Sequence, residues 1–280
     1  MRNLLLSWYR NAQGAASALW QSFGRLPGSK GITREFLDAV REPAAAVVIV
    51  FASTTALAQP FYVPSGSMEP TLQIGDALIG SKFPYGYSRY SVPWMPGTAA
   101  GAERWFGKLP ERGDVVIFRL TRDPSTTYIK RVIGLPGDHI QMILGRLWIN
   151  GHELPVRPAG SGQVEMEGGD TILAARYIET MPNGREHPIF KLHDWSVPGA
   201  YDNTGVYTVP AHHLFMMGDN RDDSCDSRFP LNECGVGFVP AGNLVARAEF
   251  VVGSYDFLNA RAIWTWVAQF RLARFFSDVS

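Results

Sequence analysis

Asp114 to Leu120 reads DVVIFRL, Thr121 to Thr126 reads TRDPST, and Tyr128 to Leu135 reads YIKRVIGL. Two apolar, β-branched runs on either side of a Pro- and Asp-containing turn predict an antiparallel hairpin. The second strand has a lysine at its centre, with Ile129, Val132 and Ile133 around it. Alternation puts Tyr128, Lys130 and Val132 on one face and Ile129, Arg131 and Ile133 on the other, so the two cations point opposite ways. A charged lysine is costly on a buried face unless it is paired. Facing inward, Lys130 would be desolvated, its pKa would fall, and a neutral amine could serve as a general base. On an exposed face the same side chain simply reaches water.

Short strands and turns continue outward from this hairpin. Arg146 to Asn150 followed by Gly151-His152 predicts another hairpin, Tyr207 to Pro210 a short edge, and Leu244 to Val252 (LVARAEFVV) a closing strand. Gly160 to Asn203 is polar, glycine-rich and weakly patterned, which reads as inserted material. The 280 residues suffice for one or two domains with a real core. Twenty-six Lys plus Arg balance 26 Asp plus Glu, so no global field draws in nucleic acid. A hydrophobic content of 46% excludes a disordered chain.

Ahead of the strands, Ala44 to Ala58 (AAAVVIVFASTTALA) is free of charge. As a helix this run spans about 22 Å, so crossing a hydrocarbon core of about 30 Å requires flanking residues toward Pro43 and Tyr62. The preceding segment carries Arg2, Arg10, Arg25, Lys30, Arg34 and Arg41 against Glu35, Asp38 and Glu42, a basic excess expected to stay cytoplasmic. Two other readings compete with an anchor. Pro60 and the turns after it disfavour a buried core helix, and the long basic leader disfavours a signal peptide cleaved after Ala56-Leu57-Ala58. At the other end, Phe257 to Phe276 shows helical spacing, with Ile263, Trp264, Val267 and Phe270 on one side and Arg261, Arg271 and Arg274 among the polar positions. Such a helix suits either a membrane surface or packing onto the domain.

The common hydrolase signatures are missing: there is no G-x-S-x-G, S-x-x-K, H-E-x-x-H or P-loop. The six histidines have no metal-ligand spacing. What remains is Pro64 to Leu72 (PSGSMEPTL), where Pro and Gly around serines make a tight turn whose N–H groups can point outward, as an oxyanion hole requires. Met216 to Arg228 (MMGDNRDDSCDSR) is too polar for a core and suits a salt-bridged support. It lacks the Gly and terminal Glu of a calcium loop.

Taken together these segments resemble the bacterial type I signal peptidases, or leader peptidases. Those are membrane-anchored serine proteases that cut signal peptides from exported preproteins with a Ser-Lys dyad. Four motifs match in order: Pro64 to Leu72; Gly75 to Phe83 (GDALIGSKF); Gly113 to Phe118 (GDVVIF) leading to Tyr128 to Asp138 (YIKRVIGLPGD); and Gly218 to Arg228 (GDNRDDSCDSR), followed by Gly237-Phe238-Val239-Pro240. The resemblance implies a mainly β, antiparallel catalytic domain with an inserted accessory β domain and one N-terminal transmembrane helix. The expected layout is a basic cytoplasmic segment over 1–42, the anchor over 43–60, a periplasmic catalytic domain over 61–138 plus 207–256, the insertion over 139–206, and an amphipathic C-terminal helix over 257–280. It places the chain in the bacterial inner membrane, single-pass, with its active site facing the periplasm.

Position by position, Ser67 matches the nucleophile and Lys130 the general base. The N–H of Ser67 and the hydroxyl of Ser65 match the oxyanion hole, and Ser224 matches the serine that orients the lysine amine. Arg131, Asp219, Asp226 and Arg228 match charged residues that support the site. Phe61, Val63 and Ile129 match the lining of pockets for small side chains at substrate positions −1 and −3. The resemblance implies no metal and no cofactor, and it makes preproteins and membrane lipids the partners, with no nucleic acid. Cys225 interrupts the last motif; outside the cytoplasm Cys225 and Cys234 either close a small disulfide loop or remain free thiols. Two alternatives stand beside the peptidase: a relative dedicated to one substrate, and a catalytically silent membrane-tethered binding module.

Overall fold

The computed structural model describes residues 40–50, 57–91, 104–165, 171–193, 195–197, 199, 201–256 and 269–279. The chain divides into two compact units, Met1–Phe51 and Ala52–Ser280. In the first, residues 40–50 form an exposed helix. Among the described residues no helix is long and apolar enough to cross a membrane, and residues 51–56 of the expected anchor lie outside the described set. The anchor's expected end at residue 60 is corrected: Ala58–Tyr62 is strand β1, every residue of it paired with the strand that follows.

In the second unit, β2 (Asp76–Ser81), β3 (Val115–Arg119), β4 (Thr127–Gly134), β12 (His213–Met217), β13 (Val239–Pro240) and β14 (Leu244–Ser254) join β1 in a seven-stranded sheet of order β1-β2-β14-β3-β4-β12-β13. All its neighbours are antiparallel. The expected hairpin is β3–β4, with Val116 opposite Lys130 and Ile117 opposite Ile129. The side-chain alternation holds. Ile129 packs into a core of Val63, Met68, Leu72, Leu78 and Ile117, whereas Val132 packs with Val116, Phe118 and Met216 in another.

Between β4 and β12 the chain builds two further sheets. Strands β5 (His139–Ile143), β6 (Arg146–Ile149) and β7 (His152–Glu153) form an antiparallel meander that includes the expected hairpin after Arg146. The expected short edge is β11 (Tyr207–Thr208), and it pairs with β5. The weakly patterned stretch holds a three-stranded sheet of β8 (Val156–Glu165), β9 (Thr171–Thr180) and β10 (Glu186–Lys191), with β9 central. Gly162 lets β8 lie against the Phe190 ring, since a Cβ there would sit 2.5 Å from the ring tip.

The expected C-terminal helix is corrected over its described part. Residues 257–268 lie outside the described set; beyond them Leu272–Arg274 is a single 3-10 turn, and Phe270 and Asp278 make bridges to Tyr255 and Phe250. Arg271 and Arg274 do not form a polar helical face. Arg274 pairs with the buried Asp76, Arg271 with Asp256, and Val279 inserts into the core beside Leu78. Burying those groups along the sheet requires an extended path, which a helix cannot follow. Cys225 and Cys234 form a disulfide.

Candidate active site

Ser67 sits in a 3-10 turn over Gly66–Met68, between β1 and β2. Buried Met68 and Leu72 hold the turn down, while Ser67 itself remains partly accessible. The opening N–H groups of such a turn have no acceptor inside it. Lys130 lies mid-way along β4, which is hydrogen-bonded to β3 on one side and β12 on the other. Lys130 itself pairs with Val116 of β3, and the pairing with β12 begins at the next residue, Arg131. The side chain is 2% exposed, and Nζ lies 2.5 Å from Ser67 Oγ across a sequence gap of 63 residues. Burial lowers the Lys130 pKa to about 8, and the nearby Asp226 and Asp219 carboxylates offset only part of that. A partly neutral amine against a serine hydroxyl is a base–nucleophile pair.

Ser65 is exposed, with its Oγ 3.5 Å from Ser67 Oγ. Phe61, Val63 and Ile129 come together in one cluster with Met68, next to the Ser67 turn. Gly80 makes that possible, because a Cβ there would lie 2.8 Å from the Phe61 ring. Ser224 reaches the same place but not the expected bond. Its Oγ is buried and has no hydrogen-bond partner among the described residues, so it does not hold the Lys130 amine.

The four expected supporting charges form two buried pairs. Arg131 donates to Asp219 through Nε at 2.8 Å and Nη2 at 2.7 Å, and its Nη1 donates to Gly113 O. Arg228 grips Asp226 in the same two-pronged way, while Gly218 N–H donates to that carboxylate. Burial alone would raise both carboxyl pKa values, but the paired guanidinium outweighs it in each case and holds them below the ordinary range.

Several residues that matter were not singled out from sequence. Thr71 donates to Asp219 and accepts from Arg131, tying the loop that carries Ser67 to the ion pair. Asn220 N–H donates to Ser67 O at 3.2 Å, and Asn220 Nδ2 donates to Gly66 O at 3.3 Å. Gly218 must lack a side chain, since a Cβ would lie 2.2 Å from Ser224 Oγ and 2.4 Å from Ser67 O. All three stand inside the quoted motifs, so the motifs were the only signal. Glu179, which pairs with Arg221, lies in the weakly patterned stretch and gave none.

Comparison with known proteins is consistent across most of the chain. The family model described as signal peptidase, peptidase S26, matches residues 37–253. The signal peptidase I of Rickettsia typhi is 36% identical over 243 residues, covering 79% of this chain and 85% of that protein. The signal peptidase I of Rickettsia massiliae is 41% identical over 196 residues, covering 69% and 70%. Among solved structures, a signal peptidase I from Enterococcus faecalis matches at 24% identity and a TM-score of 0.28, over 50% of this chain and 97% of that one.

Proposed function

Because the chain belongs to the S26 signal peptidase family, a family of serine endopeptidases, we propose that it removes N-terminal signal peptides from exported preproteins with a Ser67–Lys130 dyad. The observation that carries this reading is the buried Lys130 amine 2.5 Å from Ser67 Oγ. Neutral Lys130 takes the Ser67 hydroxyl proton as Oγ attacks the scissile carbonyl. The C–N bond breaks, the lysine ammonium gives its proton to the departing amine of the mature protein, and the signal peptide stays on Ser67 as an ester. Water, deprotonated by the same amine, then cleaves that ester and restores the hydroxyl. The developing oxyanion is met by the Ser67 N–H and the Ser65 hydroxyl; losing one such donor typically costs about 10²- to 10³-fold in rate.

The pockets take small side chains at −1 and −3, because Phe61, Val63 and Ile129 pack closely beside the turn and a larger group clashes there. The basic leader and apolar run before β1 support a single inner-membrane anchor, cytoplasmic N-terminus and periplasmic active site. The test is cleavage of a preprotein bearing an Ala-x-Ala site by the full detergent-solubilised chain, with product masses read out. Wild type should cut after the second Ala, while Ser67→Ala and Lys130→Met stay folded and cut nothing. A Lys130→Met chain with near-normal rate would remove the dyad, and a folded wild type that never cuts would favour a binding module.

A further inference from the structure

Strand β10 is the edge of the three-stranded sheet, and an edge offers a row of unpaired N–H and C=O groups. Here the polar motif takes that place. Phe190 N–H donates to Asp219 O at 2.9 Å and Arg221 N–H donates to Phe190 O at 3.0 Å, a parallel bridge around Asn220. On its other side the same Asn220 holds the carbonyls of Ser67 and Gly66. One residue thus separates the inserted sheet from the nucleophile turn, and any slip of residues 219–221 along β10 moves Ser67 against Lys130.

Side chains lock that register. Arg221 donates both terminal nitrogens to Glu179 on the central strand β9, at 2.9 and 2.5 Å, and both residues are almost fully buried. Breaking a buried pair by neutralising one partner is costly, whereas two apolar residues of the same size often serve stability equally well. The pair is therefore better explained by geometry than by stability. Its bidentate form fixes the guanidinium in the plane of the carboxylate, and Arg221 O in turn accepts from Arg228, whose guanidinium also holds Asp226.

We propose that Glu179 is a positioning residue for Ser67, acting through Arg221 and Asn220, so that the inserted sheet sets the geometry of the catalytic pair. This rests on the peptidase reading of Ser67. The experiment measures kcat and KM of the full detergent-solubilised chain on the Ala-x-Ala preprotein, below the melting transition of each variant. Compared are wild type, Glu179→Gln, Glu179→Asp and Arg157→Ala, the last breaking an exposed pair with Glu186 on the same sheet. Displacements on the scale of 1 Å can cost about a hundredfold, so Glu179→Gln should lose about ten- to a hundredfold in kcat with KM nearly unchanged. Glu179→Asp, which keeps the charge, should recover part of that loss, and Arg157→Ala should match wild type. If Glu179→Gln fails to fold, Glu179→Asp carries the test, with kcat reduced and KM unchanged. Folded Glu179 variants with wild-type kcat beside a cutting wild type overturn the inference alone. A wild type that cuts nothing overturns the peptidase reading and the inference with it.

Discussion

Lys130 occupies a site that burial makes unfavourable for a charge, and in the proposed mechanism that cost is what makes it useful as a base. With its pKa lowered to about 8, roughly a tenth of the amine is neutral at pH 7 and most of it is at pH 9. We predict that kcat/KM rises through an apparent pKa near 8 and levels off above it; a flat profile from pH 6 to 9 would count against Lys130 as the base. Lys130→Arg is expected to be inactive, because guanidinium stays charged throughout this range. Gly218→Ala tests the crowding directly. Its methyl would meet Ser224 Oγ and the Ser67 carbonyl far inside contact distance, so we expect a loss of about 10²-fold or more in kcat from a chain that still folds. These residues were legible to different degrees for a physical reason. Lys130 stood out because a cation in an apolar strand contradicts its surroundings, whereas Pro and Gly around Ser65 and Ser67 mark only a turn, and the family resemblance alone assigned the two serines their roles. Asn220 and Glu179 act across chain separations that no local pattern encodes.

The β3–β4 hairpin was readable because its strands alternate between two buried faces. Strands β8 and β9 were not. Half of β9 is exposed, on both faces, with only Ala174 and Glu179 fully buried, and β8 carries Gly160 and Gly162, so neither shows a period of two. Residues 269–279 misled for the opposite reason: the spacing suits a helix, but backbone bonds to β14 and the Arg274–Asp76 pair decide the path of this part of the tail. The loop from Cys225 to Cys234 starts beside Ser224 and includes Arg228, and Arg122 holds the carbonyls of Leu231, Glu233 and Cys234 at its far end. Closing a loop of this length removes unfolded-state entropy equivalent to about 2–3 kcal/mol. We therefore expect Cys225→Ser paired with Cys234→Ser to lower the unfolding free energy measured in urea by that much, with a corresponding downward shift of the midpoint. An unchanged midpoint would mean that the other contacts of the loop already hold it.

Across the whole molecule the neutral net charge conceals a concentration of ion pairs inside: Arg131–Asp219, Arg228–Asp226 and Arg221–Glu179 are all buried. Burial alone would raise their carboxyl pKa values, but the paired guanidinium groups, together with the other groups around each carboxylate, hold them below the ordinary range in the folded chain. The unfolded chain therefore binds more protons as pH falls, and the stability present above about pH 5 is lost progressively below it. Thermal midpoints should be steady from pH 7 to 5 and fall steeply toward pH 3. Added salt should change them little, since buried pairs are poorly screened and the exposed pairs contribute little. Activity should follow the opposite limit, because in the proposed mechanism Lys130 must lose its proton while the carboxylates keep their charge. Between about pH 5 and 6.5 the chain should thus be folded and nearly silent. We predict that enzyme held at pH 5.5 regains its full rate at once on return to pH 8.5, whereas enzyme held at pH 3 regains it only as fast as it refolds. Rate measured immediately after each pH jump, beside circular dichroism, distinguishes these cases. A slow recovery from pH 5.5 would place the acid-sensitive step in the supporting ion pairs rather than in the Lys130 amine.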